Sequence, residues 1–143
     1  MPIRCEIVSQ DRIVYQGSAD IVLLPGIEGE MGILPDHSPL LTVLHFGVIT
    51  VRSDQETQYF TVAGGVAEVQ PDQVTVLADA AENVEEIDLQ RAEEARHRAE
   101  QRLTEKSDID TDTYLTIQAS LRKSNLRLEA ARRYRRSKPP QRD

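Results

Sequence analysis

A chain of 143 residues with a net charge of −7 has room for one ordinary domain or two small ones. Tryptophan is absent and aromatics are only 4%, so a core must be built from Val, Ile, Leu and Ala. No apolar run approaches the roughly 18 residues of a membrane span, no apolar signal region follows Met1-Pro2-Ile3-Arg4-Cys5-Glu6, and the lone Cys5 excludes an internal disulfide. These exclusions predict a soluble chain in a reducing, cytoplasmic compartment, associated with a membrane only through a partner.

Taken in order, the first part is a series of short strands. Ile3, Cys5 and Ile7 alternate with Arg4 and Glu6, the pattern of a half-buried strand. Asp11-Arg12 turns into Ile13-Val14-Tyr15, and Ile21-Val22-Leu23-Leu24 ends at Pro25-Gly26. Residues 26–41 hold three of the seven glycines and two of the seven prolines, which predicts tight turns around Met31-Gly32-Ile33-Leu34. Glu28, Glu30, Asp36 and His37 then sit exposed on turns, either as solvated residues or as a partner contact on a stiff scaffold.

Further short strands follow at Leu40-Leu41-Thr42-Val43-Leu44, Val48-Ile49-Thr50-Val51 and Tyr59-Phe60-Thr61-Val62. Gly64-Gly65 is read as a turn before Val66-Ala67-Glu68-Val69, and Pro71-Asp72-Gln73 as one before Val74-Thr75-Val76-Leu77. About eight to ten short strands at this spacing argue an antiparallel β-sandwich.

The second part changes character. Every glycine lies at or before Gly65, and no proline falls between Pro71 and Pro139. Asp88 starts a helical pattern in which Leu89, Ala92, Ala95, Ala99 and Leu103 repeat at threes and fours. Residues 107–111 break it and offer caps for a second helix, whose stripe is Tyr114, Ile117, Leu121, Leu128 and Ala131. The fold class is therefore α+β: a sandwich over residues 1–85, an antiparallel two-helix hairpin over 86–137, and a frayed tail over 138–143. The alanine-rich stripe buries little area, so the hairpin is weakly held and able to detach or extend.

Charge is unevenly spread. Residues 120–143 carry nine Lys or Arg against Glu129 and Asp143, a net +7, and the preceding 119 residues carry −14. The basic end either meets an acidic partner or polyanion, or docks on the acids of the first helix, Glu93, Glu94 and Glu100. Enzyme chemistry is not evident. His37, His45 and His97 lack an obvious paired nucleophile, and there is no phosphate-binding glycine loop and no Cys/His metal spacing. Asp88 and Arg91 read from spacing alone as a helix cap and a solvated helix residue.

Four ordered stretches carry a resemblance. They are Glu28-Gly29-Glu30-Met31-Gly32-Ile33-Leu34-Pro35-Asp36-His37-Ser38-Pro39-Leu40-Leu41, Ala63-Gly64-Gly65-Val66-Ala67-Glu68-Val69, Val74-Thr75-Val76-Leu77-Ala78-Asp79 and Ile87-Asp88-Leu89-Gln90-Arg91-Ala92. Together they resemble the epsilon-subunit family of F-type ATP synthases, bacterial type, over nearly the whole chain. The resemblance implies a non-catalytic central-stalk subunit whose sandwich joins the gamma subunit to the c-ring. Glu30 and His37 match positions that face the polar c-ring loops.

The resemblance also implies a hairpin that switches between a compact, permissive state and an extended state reaching the alpha and beta subunits, where it blocks ATP hydrolysis. Arg122, Lys123, Arg127, Arg132 and Arg133 would then meet an acidic segment there. No cofactor is required, but regulatory ATP is implied. Glu82, Asp88, Arg91, Arg98, Lys123 and Arg127 match the nucleotide-binding positions, with Lys123 standing where the family's ATP-binding pattern has arginine. Lysine offers a point charge in place of a fork. The implied location is the cytoplasmic face of the inner membrane, peripheral.

The alternatives are a stand-alone binding module whose basic helix takes an anionic partner such as nucleic acid, and an unrecognised enzyme. Against nucleic acid, Tyr134 is the sole aromatic among the basic residues and the rest of the chain is acidic. The reading adopted has no nucleic-acid partner.

Overall fold

The computed structural model describes residues 1–54, 56–105 and 109–135. The chain divides into two compact units, Met1–Asn83 and a second beginning at Val84. The expected tail over 138–143, and residues 107 and 108 of the expected link, lie outside the described residues.

The first unit holds β1 (Ile3–Ser9), β2 (Arg12–Ala19), β3 (Ile21–Gly26), β4 (Gly29–Ile33), β5 (Leu40–Ser53), β6 (Glu56–Val69), β7 (Gln73–Ala78) and β8 (Ala81–Asn83). They form one eight-stranded sheet in the order β2-β1-β7-β6-β5-β3-β4, with β8 added alongside β6. The pairings are antiparallel except β1 with β7, which run parallel with Cys5 opposite Val74 and Ile7 opposite Val76. These two strands lie far apart in sequence, so no tight hairpin dictates their direction.

The expected turn at Gly64-Gly65 is a bend within a long strand, and the two short strands expected at 40–44 and 48–51 are one. β5 and β6 each run 14 residues in unbroken register, from Leu40 opposite Val69 to Ser53 opposite Glu56. On β5 the core receives Leu44 and then Ile49 and Val51; on β6 it receives Phe60 and Val62 and then Ala67 and Val69. The inward-facing parity thus switches from even to odd on both strands. Each strand turns its other face inward past its middle, which is how a single sheet supplies both layers of a sandwich.

Glycine sits where the switch occurs. A Cβ on Gly47 would lie 2.6 Å from the Cβ of Pro25. Gly65 has φ +134° and its missing Cβ would strike the carbonyl oxygen of Leu77. The core between the layers includes Ile3, Cys5, Ile7, Val22, Leu24, Ile33, Phe60, Val74 and Val76, with Tyr15 tilted on the ring of Phe60 at 5.2 Å between centroids. Burial pushes the Cys5 thiol up to about 12, so it behaves as a small hydrophobe at neutral pH.

The second unit begins with a 3-10 turn, Val84–Glu86, followed by α1 (Leu89–Thr104) and α2 (Thr111–Tyr134), which pack on each other. Asp88 caps α1 by accepting the Arg91 N–H at 3.1 Å, and Asp110 caps α2 by accepting the Thr113 N–H at 2.7 Å. The buried seam is Ala92 and Ala99 on α1 with Ile117, Ser124, Leu128, Ala130 and Ala131 on α2. Leu89 and Tyr114, expected in the stripes, are 38% and 45% exposed. Both lie in the first turn of their helices, and the Tyr114 hydroxyl accepts from Gln118 Nε2 at 2.9 Å instead of packing.

Candidate functional site

Residues 26–41 fold as an edge hairpin and a following turn. Gly26 pairs with Gly29, leaving Ile27 and Glu28 as the two-residue turn, and Gly29 takes φ +134°. Glu30 therefore lies in strand β4, opposite Pro25, and not in a turn; its side chain is exposed. Asp36 does occupy a turn, at φ +64°, and its N–H donates to the Pro71 carbonyl at 2.8 Å. His37 is half-buried, not exposed, and its Nδ1 donates to the Ser38 carbonyl at 2.7 Å.

The strand register exposes a feature that sequence reading missed. Val8 on β1, Leu77 on β7, Val66 on β6 and Val43 on β5 are successive partners across four strands. Cross-strand partners share a face, and here it is the outer one: Val43 is 50% and Leu77 55% exposed. These residues line an open cleft of about 710 Å³ together with Ser9, Gln10 and Asp79. Leu41, two residues before Val43 on the same face, extends the apolar row. Alternation marks each residue as outward, but only the register sets them side by side.

On the hairpin the candidate nucleotide residues are placed as follows. Asp88 and Arg91 are brought together by the cap bond. Arg91 and Arg98 are exposed and seven residues apart, on one side of α1; Lys123, exposed, and Arg127, half-buried, are one turn apart on α2. Glu82 belongs to β8 in the first unit, opposite Thr61, whose hydroxyl donates to the Glu82 carbonyl at 3.4 Å. Among the described residues no group of three or more His, Cys, Asp or Glu is arranged to hold a metal ion.

The basic end of α2 is partly engaged within the hairpin. Arg132 Nη2 reaches Glu93 Oε1 across the seam at 2.7 Å, and Arg96 holds the other oxygen of Glu93 at 2.8 Å and Glu100 at 3.6 Å. Arg122 and Arg133 are exposed, and the Arg133 guanidinium lies 5.2 Å from the ring centre of Tyr134. Arg96, Asn125, Leu128, Glu129, Arg132 and Arg133 line a cleft of about 500 Å³. Arg135, one of the nine basic residues of 120–143, donates from Nη2 to the carbonyls of Val84 and Ile87. Nothing in residue type or spacing signals a bond to main-chain oxygens 48 and 51 residues away.

Both units match known families. Residues 2–84 match the family described as ATP synthase, Delta/Epsilon chain, beta-sandwich domain, and residues 85–132 match its long alpha-helix domain. The ATP synthase epsilon chain of Dehalococcoides mccartyi is 43% identical over 133 residues, 93% of this chain and 94% of that one. The epsilon chain of Moorella thermoacetica is 44% identical over 128 residues, 88% of this chain and 93% of that one. Among solved structures, a chain of the Euglena gracilis mitochondrial ATP synthase assembly of OSCP, F1 and c-ring shares the fold. Its TM-score is 0.74 at 24% identity, covering 91% of this chain and 81% of that one.

Proposed function

The chain belongs to the ATP synthase delta/epsilon family, and from that premise we propose that its sandwich docks on the gamma subunit through the outward row of Val43, Val66, Leu77 and Val8. The row is the observation that carries the reading. Contiguous apolar surface rimmed by polar residues is what a partner covers, and here Ser9, Gln10 and Asp79 form the rim. The turn region with Glu30 and His37 then meets the polar loops of the c-ring, so the unit couples gamma to the rotor. Attachment to the cytoplasmic face of the inner membrane is peripheral and made through these partners.

The hairpin serves regulation. Its seam, mostly alanine and serine around Ile117 and Leu128, gains little from packing, so a compact and an extended state lie close in free energy. In the extended state Arg122, Lys123, Arg127, Arg132 and Arg133 engage an acidic segment of the alpha and beta subunits and inhibit hydrolysis. ATP bound by Glu82, Asp88, Arg91, Arg98, Lys123 and Arg127 favours the compact state through its differential affinity for that state. The chain itself makes and breaks no bonds.

The docking surface is tested with Leu77→Glu and Val43→Glu, each placing a charge on the row without entering the core. Both should fold with unchanged thermal midpoints and fail to copurify with gamma. Undiminished copurification of the folded variants would remove the row as the gamma contact.

A further inference from the structure

The C-cap residue of α2 makes a contact that the rest of the seam does not prepare for. Arg135 Nη2 donates to the Val84 carbonyl at 3.0 Å and also to the Ile87 carbonyl. Val84 opens the 3-10 turn, and Ile87 directly precedes the Asp88 cap; the Ile87 N–H itself donates to Val84 at 3.3 Å. One guanidinium thus ties the end of α2 to the start of the unit, at the backbone from which α1 grows. Main-chain oxygens at the end of a helical turn carry partial negative charge, so a cation suits them, and the second lone pair of the Val84 carbonyl is open to Arg135 beside the Ile87 N–H. Such charge-assisted bonds are about twice as strong as neutral ones.

The tie is strong but not deep. Nε of Arg135 is buried with no hydrogen-bond partner among the described residues, a desolvation cost that opening recovers. Elsewhere the seam resists separation weakly. Its α1 side is Ala92 and Ala99, and its cross-helix ion pair, Glu93 with Arg132, has side chains 39% and 67% exposed.

We propose that Arg135 is a latch: its bonds to the Val84 and Ile87 carbonyls hold the end of α2 down and set how often α2 leaves α1. This rests on the reading that hairpin conformation regulates hydrolysis. Because the latch grips Ile87, closing it also orders the backbone that presents Asp88 and Arg91. The latched state is therefore the one in which the candidate nucleotide residues of α1 are held in place.

The test is amide hydrogen exchange on the full chain with Arg135→Met, which keeps an apolar stem and removes the donors, and Arg135→Lys, whose ammonium can still donate to both carbonyls. The latch predicts that amides of residues 127–134 exchange about tenfold faster or more in Arg135→Met, the ratio that a charge-assisted bond commands. It predicts that Arg135→Lys restores most of the protection, and that β1 and β7 exchange as in the parent in both. Parent-like exchange in Arg135→Met, or equal loss in both variants, overturns the latch. The same variants in the assembled enzyme separate the two ideas. Faster exchange with lower ATP hydrolysis in Arg135→Met supports latch and regulation together; faster exchange with unchanged hydrolysis leaves the latch standing and removes the regulatory reading.

Discussion

Arg132 on α2 reaches Glu93 on α1 at 2.7 Å, and the same carboxylate holds Arg96, three residues further along α1, at 2.8 Å. The seam between the helices is otherwise made largely of small side chains, so this shared carboxylate is a prominent polar link across it. Its side chain is 39% exposed and that of Arg132 67%. Solvent screening therefore limits the pair to about 1 kcal/mol or less. Glu93→Gln should lower hairpin stability by that amount at low salt and by less at 1 M salt, where screening shortens the range of the interaction. Protection of α2 amides in the full chain at the two salt concentrations checks both parts.

The Asp110 cap predicts a pH dependence. The hydrogen bonds from Thr113 hold the Asp110 carboxyl below its ordinary value of 3.8. A carboxyl depressed in the folded state contributes stability that is present above the unfolded value and lost as pH falls through the folded one. Protection of the first turn of α2 should therefore hold from neutral pH to about 4 and decline below it. Asp110→Asn keeps an N-cap acceptor but cannot titrate, so in that variant the decline attributable to this turn should vanish.

Asp20 works in the opposite sense. A side-chain hydrogen bond with Asp54, first, and desolvation, second, raise its pKa. A raised carboxyl favours the folded state at low pH and loses that contribution as pH rises through the folded value. The contribution of Asp20 is therefore smaller at neutral pH than in acid, so Asp20→Asn should raise the thermal midpoint more at pH 7 than at pH 3. Calorimetric melting at the two values measures the difference.

Asp88 and Arg91 separate capping from nucleotide binding. Asp88→Asn retains an acceptor for the Arg91 N–H, so helix stability should change little, whereas Asp88→Ala should cost about 1 kcal/mol. Arg91 donates its main-chain N–H to the cap, and its side chain is exposed, so Arg91→Ala leaves the cap intact. If ATP is the regulatory ligand, calorimetric titration of the parent should show saturable binding, and Arg91→Ala should lose it without loss of helix content. Absence of binding to the parent at millimolar ATP would leave Asp88 a cap and Arg91 a surface residue.

How much of this was legible in the sequence depends on the range of the physics involved. Alternation in Ile3, Cys5 and Ile7, the cap Asp88 and the glycine-free helical region are local, and each appears where the residues place it; of the several caps offered over 107–111, Asp110 is the one used. Gly64 and Gly65 were legible as an interruption but not as a bend. A bend and a turn need the same residue, and the choice is made by the ladder continuing on the far side, Val43 opposite Val66 and Phe46 opposite Ala63. The apolar row and the Arg135 contact were not legible because both depend on partners distant in sequence.

Gly65 and Gly29 give the sharpest test of the bend. Both sit at φ +134°, where a side chain is strained whatever its surroundings, but nothing lies within 4 Å of the Cβ that Gly29 lacks, whereas the one missing from Gly65 would strike the Leu77 carbonyl and lie 2.8 Å from Ala78 Cα. Gly29→Ala should therefore cost only the backbone strain, about 1–3 kcal/mol. Gly65→Ala adds a clash with main chain, which cannot rotate away. It should be destabilised beyond the range set by strain alone and push β7 from β6, carrying Leu77 out of line with Val66. Denaturant midpoints order the two variants, and gamma binding by Gly65→Ala, measured where it remains folded, should fall while that of Gly29→Ala stays at the parent level. Equal midpoints would mean that the β6–β7 contact at this point relaxes, and that the bend is not held by the absence of a side chain.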